Sequence, residues 1–211
     1  MQPVLILEYG VVISFFACIV SLSILVLKTF SFGKKELYAA PKGDVKKGIV
    51  YAFGKGMMPR EKESARNHLP SYIAGILYHI GIFFSLLYLL IIIIPIHLPQ
   101  LPVLVFQSVC QVGFIAGVGL LIKRVSSPHM RGLSCPDDLA ANIIVDVFLL
   151  LTALHTLFPV LTPYLFLAAI IMFLYIPFGK IRHCFFFFYV RILFGIFYGR
   201  RNVFPPKSHK V

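Results

Sequence analysis

The sequence predicts an all-α integral membrane protein whose 211 residues form one bundle of five transmembrane helices. Composition is the first observation: 59% of the residues are hydrophobic, only 13% are charged and the mean hydropathy is +0.88. A soluble domain is closer to half apolar and a quarter charged. The second observation is that five apolar stretches reach the roughly 20 residues that a helix needs to cross a bilayer.

The five predicted helices follow one another along a single domain, 1–211. They cover approximately 4–27, 70–96, 101–122, 137–158 and 162–183. The first helix lacks the basic start and the small-residue cleavage site of a signal peptide, so we expect it to be retained. A loop, 28–69, follows it. The chain ends in segment 184–211, whose aromatic and arginine residues predict a surface stretch at the lipid headgroups.

The distribution of positive charge predicts the orientation of the bundle. Every Lys and Arg falls within 28–66, 123–131, 180–191 or 200–210, and none lies in the turns near 95–100 and 157–163. Basic loops stay in the cytoplasm, so we expect the N-terminus outside and the C-terminus inside a prokaryotic cytoplasmic membrane. The net charge of +12 then fits anionic membrane lipids or a cytoplasmic partner rather than nucleic acid.

The four cysteines exclude several cofactors. Cys18, Cys110, Cys135 and Cys184 form neither CxxC nor CxxCH, the spacings of iron–sulfur, zinc and covalent haem sites. The sequence likewise offers no flavin, nucleotide or molybdenum motif. We therefore expect any substrate chemistry to take place on a partner subunit.

Two histidines stand out because they lie among apolar residues on the cytoplasmic side of the bundle. His79 lies about 13 Å inside the second predicted helix, and His183 follows Pro177 near the inner end of the fifth. Two imidazoles on facing helices saturate a haem iron that only carries electrons. We predict a b-type haem with His79 and His183 as axial ligands; the alternative is that both are hydrogen-bonded packing residues.

Other polar residues are candidates for supporting roles. Arg66, Lys180 and Arg182 could pair with haem propionates. Candidates for quinone binding or proton transfer lie within the predicted helices, where an ionisable group must find a partner or stay neutral; they are Glu8, Gln107, Asp146 and His155. The alternative for all four is hydrogen-bonded packing.

Three further histidines are weaker candidates for a second haem. His97 and His155 could ligate an outer haem together, and His68 could ligate a second inner one.

In the third helix, Gly113 and Gly117 are one turn apart and predict a close helix contact.

Three stretches in order resemble the gamma (cytochrome b) subunit of membrane-bound nitrate reductase and its relatives. Those relatives include the membrane subunit of heterodisulfide reductase and the membrane cytochrome subunit of complexes linked to dissimilatory sulfite reduction. The stretches are Leu77–Ile82, Leu121–Arg124 with Ser127, Pro128 and Arg131, and Pro177–His183. Arg131–Ser134 with Pro136–Asp138 is more similar to the heterodisulfide and sulfite-linked branch.

The resemblance implies an electron-transfer subunit that connects a quinone/quinol pool with a cytoplasmic iron–sulfur subunit of a respiratory redox complex. In one respect the sequence departs from the nitrate reductase subunit, which holds two haems. Leu89 and Leu165 stand where its outer ligands would be, and neither can bind iron. One haem b is therefore favoured over two. The alternative functions are a haem-free membrane anchor or assembly subunit, and a small transporter, which the lack of an inverted repeat disfavours.

Overall fold

The structure, a computed structural model, describes residues 2–33, 40–61, 63–96 and 98–206. Within these ranges all regular structure is helical. The α-helices are α1 (Gln2–Phe30), α2 (Val45–Phe53), α3 (Glu63–Asn67), α4 (Leu69–Ile93), α5 (Gln100–Ser126), α6 (Pro128–Leu133), α7 (Pro136–His155), α8 (Thr162–Tyr175) and α9 (His183–Arg200).

Five segments of the described chain are long and apolar enough to cross a membrane, which confirms the predicted multi-pass membrane protein. Four of them contain α1, α4, α5 and α7 and match the first four predicted helices. The fifth is Lys180–Arg200, which contains α9. By the same criteria α8 belongs to a shorter apolar segment, Pro159–Tyr175.

The helix predicted over 162–183 differs from the structure at its C-terminal end. α8 stops at Tyr175, and a 3-10 turn over Lys180–Arg182 leads into α9. Pro177 explains the break, because proline lacks the N–H that continues a helix and its ring clashes with the preceding turn. The predicted surface segment, 184–211, thus contains most of an 18-residue helix.

Contacts along the chain define two compact units. Unit 1 comprises Met1–Ser23 and Pro70–Ile181, and unit 2 comprises Ile24–Leu69 and Arg182–Val211. Unit 1 contains α4, α5, α7 and α8 and the first part of α1; unit 2 contains α2, α3 and α9. The expectation of one domain over 1–211 rests on length and composition and stays a prediction.

In unit 1, α7 is the central helix. In the most apolar 18-residue stretch of α7, 44% of the residues are buried, whereas the share is 22% in the corresponding stretches of α1, α4 and α5. The largest side chains that are almost entirely buried in this unit lie on α7 and α8: Phe148, Leu149, Leu165 and Phe166. Packing of this kind, rather than helix propensity alone, sets which face of each apolar helix points inward.

Two glycines let α4 and α5 approach each other closely. A Cβ atom at Gly81 would lie 2.7 Å from the Cα of Gly113, and the reverse holds for a Cβ at Gly113. Both positions also face Leu149 of α7. Gly113 therefore contributes to the close contact that its spacing from Gly117 predicts.

In unit 2, α2 packs against the second half of α9 through glycines. Gly48 of α2 faces Gly195 and Gly199 of α9, and no side chain would fit between these backbones. The carboxylate of Asp44 caps α2 by accepting hydrogen bonds from the N–H groups of Lys46 and Lys47, at 2.8 and 3.3 Å. α2 lies within the stretch that the sequence predicts as a loop.

Candidate functional site

The imidazole of His79 is exposed on α4 and is oriented by its own helix. Its Nδ1 lies 2.6 Å from the carbonyl oxygen of Gly75, one turn earlier. A carbonyl oxygen only accepts hydrogen bonds, so Nδ1 carries the hydrogen and Nε2 carries the lone pair of the neutral ring. This is the arrangement in which proteins present a histidine to a metal through Nε2.

His183 and two propionate candidates lie in unit 2. His183 is the first residue of α9 and is exposed, as are Arg182 just before it and Arg66 at the end of α3. His79 and His183 belong to different units, so their shared haem stays a prediction. Taken separately, His79 and His183 each suit an iron ligand, because each imidazole is exposed on the surface of its helix.

Lys180, the third propionate candidate, has an acidic partner within unit 1. Its Nζ lies 2.6 Å from Oδ2 of Asp138, whose Oδ1 lies 3.2 Å from the guanidinium of Arg124. Asp138 also accepts a hydrogen bond from the N–H of Cys135 and so caps α7. This cluster joins the C-terminal end of α5 and the N-terminal end of α7 to the segment after α8, and it gives Lys180 a structural role beside its predicted one.

His155 is the most completely hydrogen-bonded of the candidates. The Thr162 hydroxyl donates to the carbonyl of Pro159 at 2.6 Å, so it accepts from Nε2–H of His155 at 2.9 Å. Nδ1 of the neutral ring then accepts from the hydroxyl of Tyr88 at 3.1 Å. Because both nitrogens are used, His155 fits packing or proton exchange better than iron ligation.

Asp146 lies in a second polar cluster on α7. Its Oδ2 accepts a hydrogen bond from the side-chain amide of Asn142 at 2.8 Å, and the Tyr78 hydroxyl lies 3.3 Å from that same amide nitrogen. Asp146 is only 5% exposed, and its Oδ1 has no hydrogen-bond partner among the described residues. Gly117 of α5 makes room for this carboxyl group and for the Tyr78 ring.

The remaining candidates are placed as follows. Glu8 is half-buried on α1 and Gln107 is half-buried on α5, both in unit 1. His68 is exposed in the turn between α3 and α4. His97 lies outside the described residues. The clusters around His155 and Asp146 are built from other side chains, so the proposed roles of these four stay predictions.

Buried leucines occupy the two positions at which the sequence resemblance implies outer haem ligands. Leu89 on α4 and Leu165 on α8 are 3% and 0% exposed. Within the described ranges no group of three or more His, Cys, Asp or Glu side chains could hold a metal ion. A haem needs fewer protein ligands than a bare metal ion, because its macrocycle supplies four iron ligands and the protein adds only the remaining ones.

An apolar groove lies on unit 1, and two of its lining residues, Leu77 and Ile80, are close to His79 in the sequence. It has a volume of about 190 Å³ and is lined by Leu77, Ile80, Ser108, Val109 and Val112. The Ser108 hydroxyl donates to the carbonyl of Leu104 in its own helix. The groove therefore offers hydrocarbon contact without a directed polar group.

Sequence reasoning missed the partners in both polar clusters. Asn142 is four residues before Asp146 and so shares its helix face, a spacing that could have predicted this pair. Tyr88 and Thr162 are distant from His155 in sequence, and no local pattern connects them.

No family model, no curated protein and no solved structure matches this chain.

Proposed function

We propose that this chain is a haem b-containing membrane anchor subunit. It transfers electrons between a quinone/quinol pool and a cytoplasmic iron–sulfur partner of a respiratory redox complex. The observation that carries the proposal is the hydrogen bond from Nδ1 of the exposed His79 to the carbonyl of Gly75, which makes Nε2 the nitrogen that suits iron ligation. Ordered sequence resemblance to known membrane cytochromes adds support.

In this proposal His79 and His183 hold the haem iron, which supplies one-electron redox chemistry when bound. Arg66 and Arg182 are the exposed cations that suit the propionates, since Lys180 already pairs with Asp138. The chain's own contribution is to orient the imidazole and to fill the outer positions with Leu89 and Leu165.

We also propose an orientation in which α1, α4, α5, α7 and α8 cross the membrane and the N-terminus is outside. The apolar segment of α8, Pro159–Tyr175, is at the lower limit of about 17 residues for a spanning helix. α4, α5, α7 and α8 alternate in direction, so α8 returns to the side on which α4 begins.

α9 then lies along the cytoplasmic surface, although its length and hydropathy would allow it to cross. Its Tyr189 hydroxyl lies 2.8 Å from Oγ1 of Thr29, at the inner end of α1. At its other end, the carbonyl of Arg200 accepts hydrogen bonds from the N–H groups of Lys42 and Gly43 in the loop between α1 and α4. Both contacts are with segments on the same side of the membrane in this orientation, which favours a surface position for α9.

A C-terminal fusion tests this orientation. We expect a green fluorescent protein fused after residue 211 to fluoresce and a fused alkaline phosphatase to be inactive, because both report a cytoplasmic C-terminus. Active phosphatase with no fluorescence would place the C-terminus outside and would contradict the arrangement.

The basic face of unit 2 suits a cytoplasmic partner with an acidic surface. The exposed cations in this loop region are Lys42, Lys46, Lys47, Lys55, Arg60 and Arg66. Most of these cations lie on or beside α2, and the contact between α2 and α9 fixes the position of α2. Complementary charge accelerates and orients association, so this face is the proposed dock for the iron–sulfur subunit.

Haem content of the purified native complex tests the function. We expect a pyridine haemochrome with about one haem per chain, lost in both His79→Ala and His183→Ala because each removes one of two axial ligands. His129→Ala, an exposed histidine on α6, is the matched control and should keep its haem. A wild-type complex that works without haem would favour the haem-free anchor, and a ratio near two would indicate a second site.

A further inference from the structure

The Asp146 cluster contains a buried carboxyl group whose hydrogen bonding is incomplete. Asp146, Tyr78 and Gly117 each lie about 14 Å from the inner end of their helices, α7, α4 and α5. Three helices thus contribute to one site at one depth. A carboxyl group at this depth is a candidate functional group because ionised side chains are costly in apolar surroundings.

The neighbours of Asp146 do not balance a negative charge. None of the ion pairs among the described residues involves Asp146. The side-chain amide of Asn142 is the donor to Oδ2, and it is neutral. The Tyr78 hydroxyl, which donates to the backbone carbonyl of Asn142 at 3.3 Å, also interacts with the Asp146 carboxyl group, but it too is neutral.

A proton on the carboxyl group removes the unbalanced charge. An ionised carboxylate only accepts hydrogen bonds, whereas the protonated group is neutral and has one O–H donor. The unpartnered Oδ1 lies beside Gly117, where a Cβ atom would overlap it. The absence of a side chain at this position keeps open the space that the carboxyl oxygen occupies.

We propose that Asp146 is a reversible proton-binding site within the membrane, with Asn142 as the positioning residue and Tyr78 as the one titratable neighbour that faces it among the described residues. The ligand is a proton, which one carboxyl oxygen can hold without further ligands. Tyr78 directly precedes the proposed haem ligand His79, whereas Asp146 and Asn142 lie on α7, away from both proposed ligands in the sequence. The proton-binding site does not depend on the chain's function as a cytochrome.

Labelling of the full-length protein in native membranes with dicyclohexylcarbodiimide tests the site. This apolar reagent adds to a protonated carboxyl group: the O–H adds across one C=N bond, and the product rearranges to a stable N-acylurea with no leaving group. We expect peptide mapping to find the adduct on Asp146, with a yield that falls as the pH rises. Asp146→Asn should lose it and keep the fold, since asparagine is isosteric.

Three controls sharpen the experiment. Glu8→Gln removes the half-buried carboxyl group of α1 and should leave the Asp146 adduct unchanged. Glu61→Gln removes an exposed carboxyl group of unit 2 and should have no effect either. Asn142→Ala keeps the carboxyl group but removes its donor, so labelling at a fixed alkaline pH should increase roughly tenfold, as one lost hydrogen bond to a charged group predicts.

Three results would overturn the proposal. The first is a wild-type protein that carries no adduct on Asp146 at any pH, and the second is a yield that does not change with pH. Protection of Asp146 by sodium ions at constant pH would instead indicate a cation site. Haem content is measured in the same membranes, for the wild type and for Asp146→Asn. A wild-type protein with a normal haemochrome but no adduct on Asp146 would contradict this proposal and leave the proposed cytochrome intact.

Discussion

Two polar clusters on the same helix differ in how completely they are satisfied. His155, the last residue of α7, has a hydrogen-bond partner on each ring nitrogen. Asp146, deeper in the same helix, has one oxygen that is buried and unpartnered among the described residues. A buried polar group with all its partners stabilises a unique packing, whereas an incomplete one is unstable unless it binds something. The difference points to a structural role for His155 and a binding role for Asp146.

Crowding the Asp146 cluster should give the largest effect. A Cβ at Gly117 would overlap the Asp146 carboxyl group and the Tyr78 ring, so Gly117→Ala should destabilise the protein by about 1–3 kcal/mol. The measurement is thermal unfolding in detergent. Gly119→Ala on the same helix is the control, because a side chain there meets no heavy atom within 4 Å. Equal melting temperatures for the two variants would show that the cluster is not tightly packed.

Removing each central group tests the comparison directly. His155→Ala should destabilise the protein by about 2 kcal/mol, because the buried Tyr88 hydroxyl loses its acceptor. Asp146→Asn should change stability by less than about 1 kcal/mol, because the carboxyl group it replaces was incompletely bonded. Chemical unfolding of both variants at neutral pH measures the difference. A larger loss for Asp146→Asn would reverse the assignment of structural and binding roles.

The smallest effect is expected at a tyrosine–carboxylate pair in unit 2. The Tyr51 hydroxyl donates to Glu61 at 2.9 Å outside the proposed spanning helices. Partial burial, and then the hydrogen bond and negative charge of Glu61, raise the pKa of Tyr51. The neutral phenol is the favoured form, so its contribution is full below about pH 10 and is lost as the pH rises through the raised pKa.

Tyr51→Phe should therefore change the melting temperature little at neutral pH, equivalent to less than about 0.5 kcal/mol. The difference between the variant and the wild type should shrink further in alkaline solution. Melting curves at pH 7 and above pH 10 check this. A large loss at neutral pH would mean that the pair in unit 2 is as important as the clusters inside unit 1.

The membrane class and four of the spanning helices could be predicted from the sequence, because hydropathy is a property of each stretch by itself. The C-terminal end of α8 could not be placed from the sequence, because Pro177 is compatible with a bend or with a break, and the structure has the break. α2 was missed because Gly48 gains its partners, Gly195 and Gly199, only from the other end of the chain.

For the candidate site, the sequence alone determined which residues could carry chemistry: His79, His183, Asp146 and His155 are conspicuous wherever the helices lie. Tertiary structure decided which of the two on α7 is satisfied. Tyr88 and Thr162 complete the hydrogen bonds of His155, while Gly117 leaves room for Oδ1 of Asp146 but has no side chain that could donate to it. Charge and hydropathy are local and can be read along one helix, whereas a hydrogen bond depends on which helices meet at the same depth.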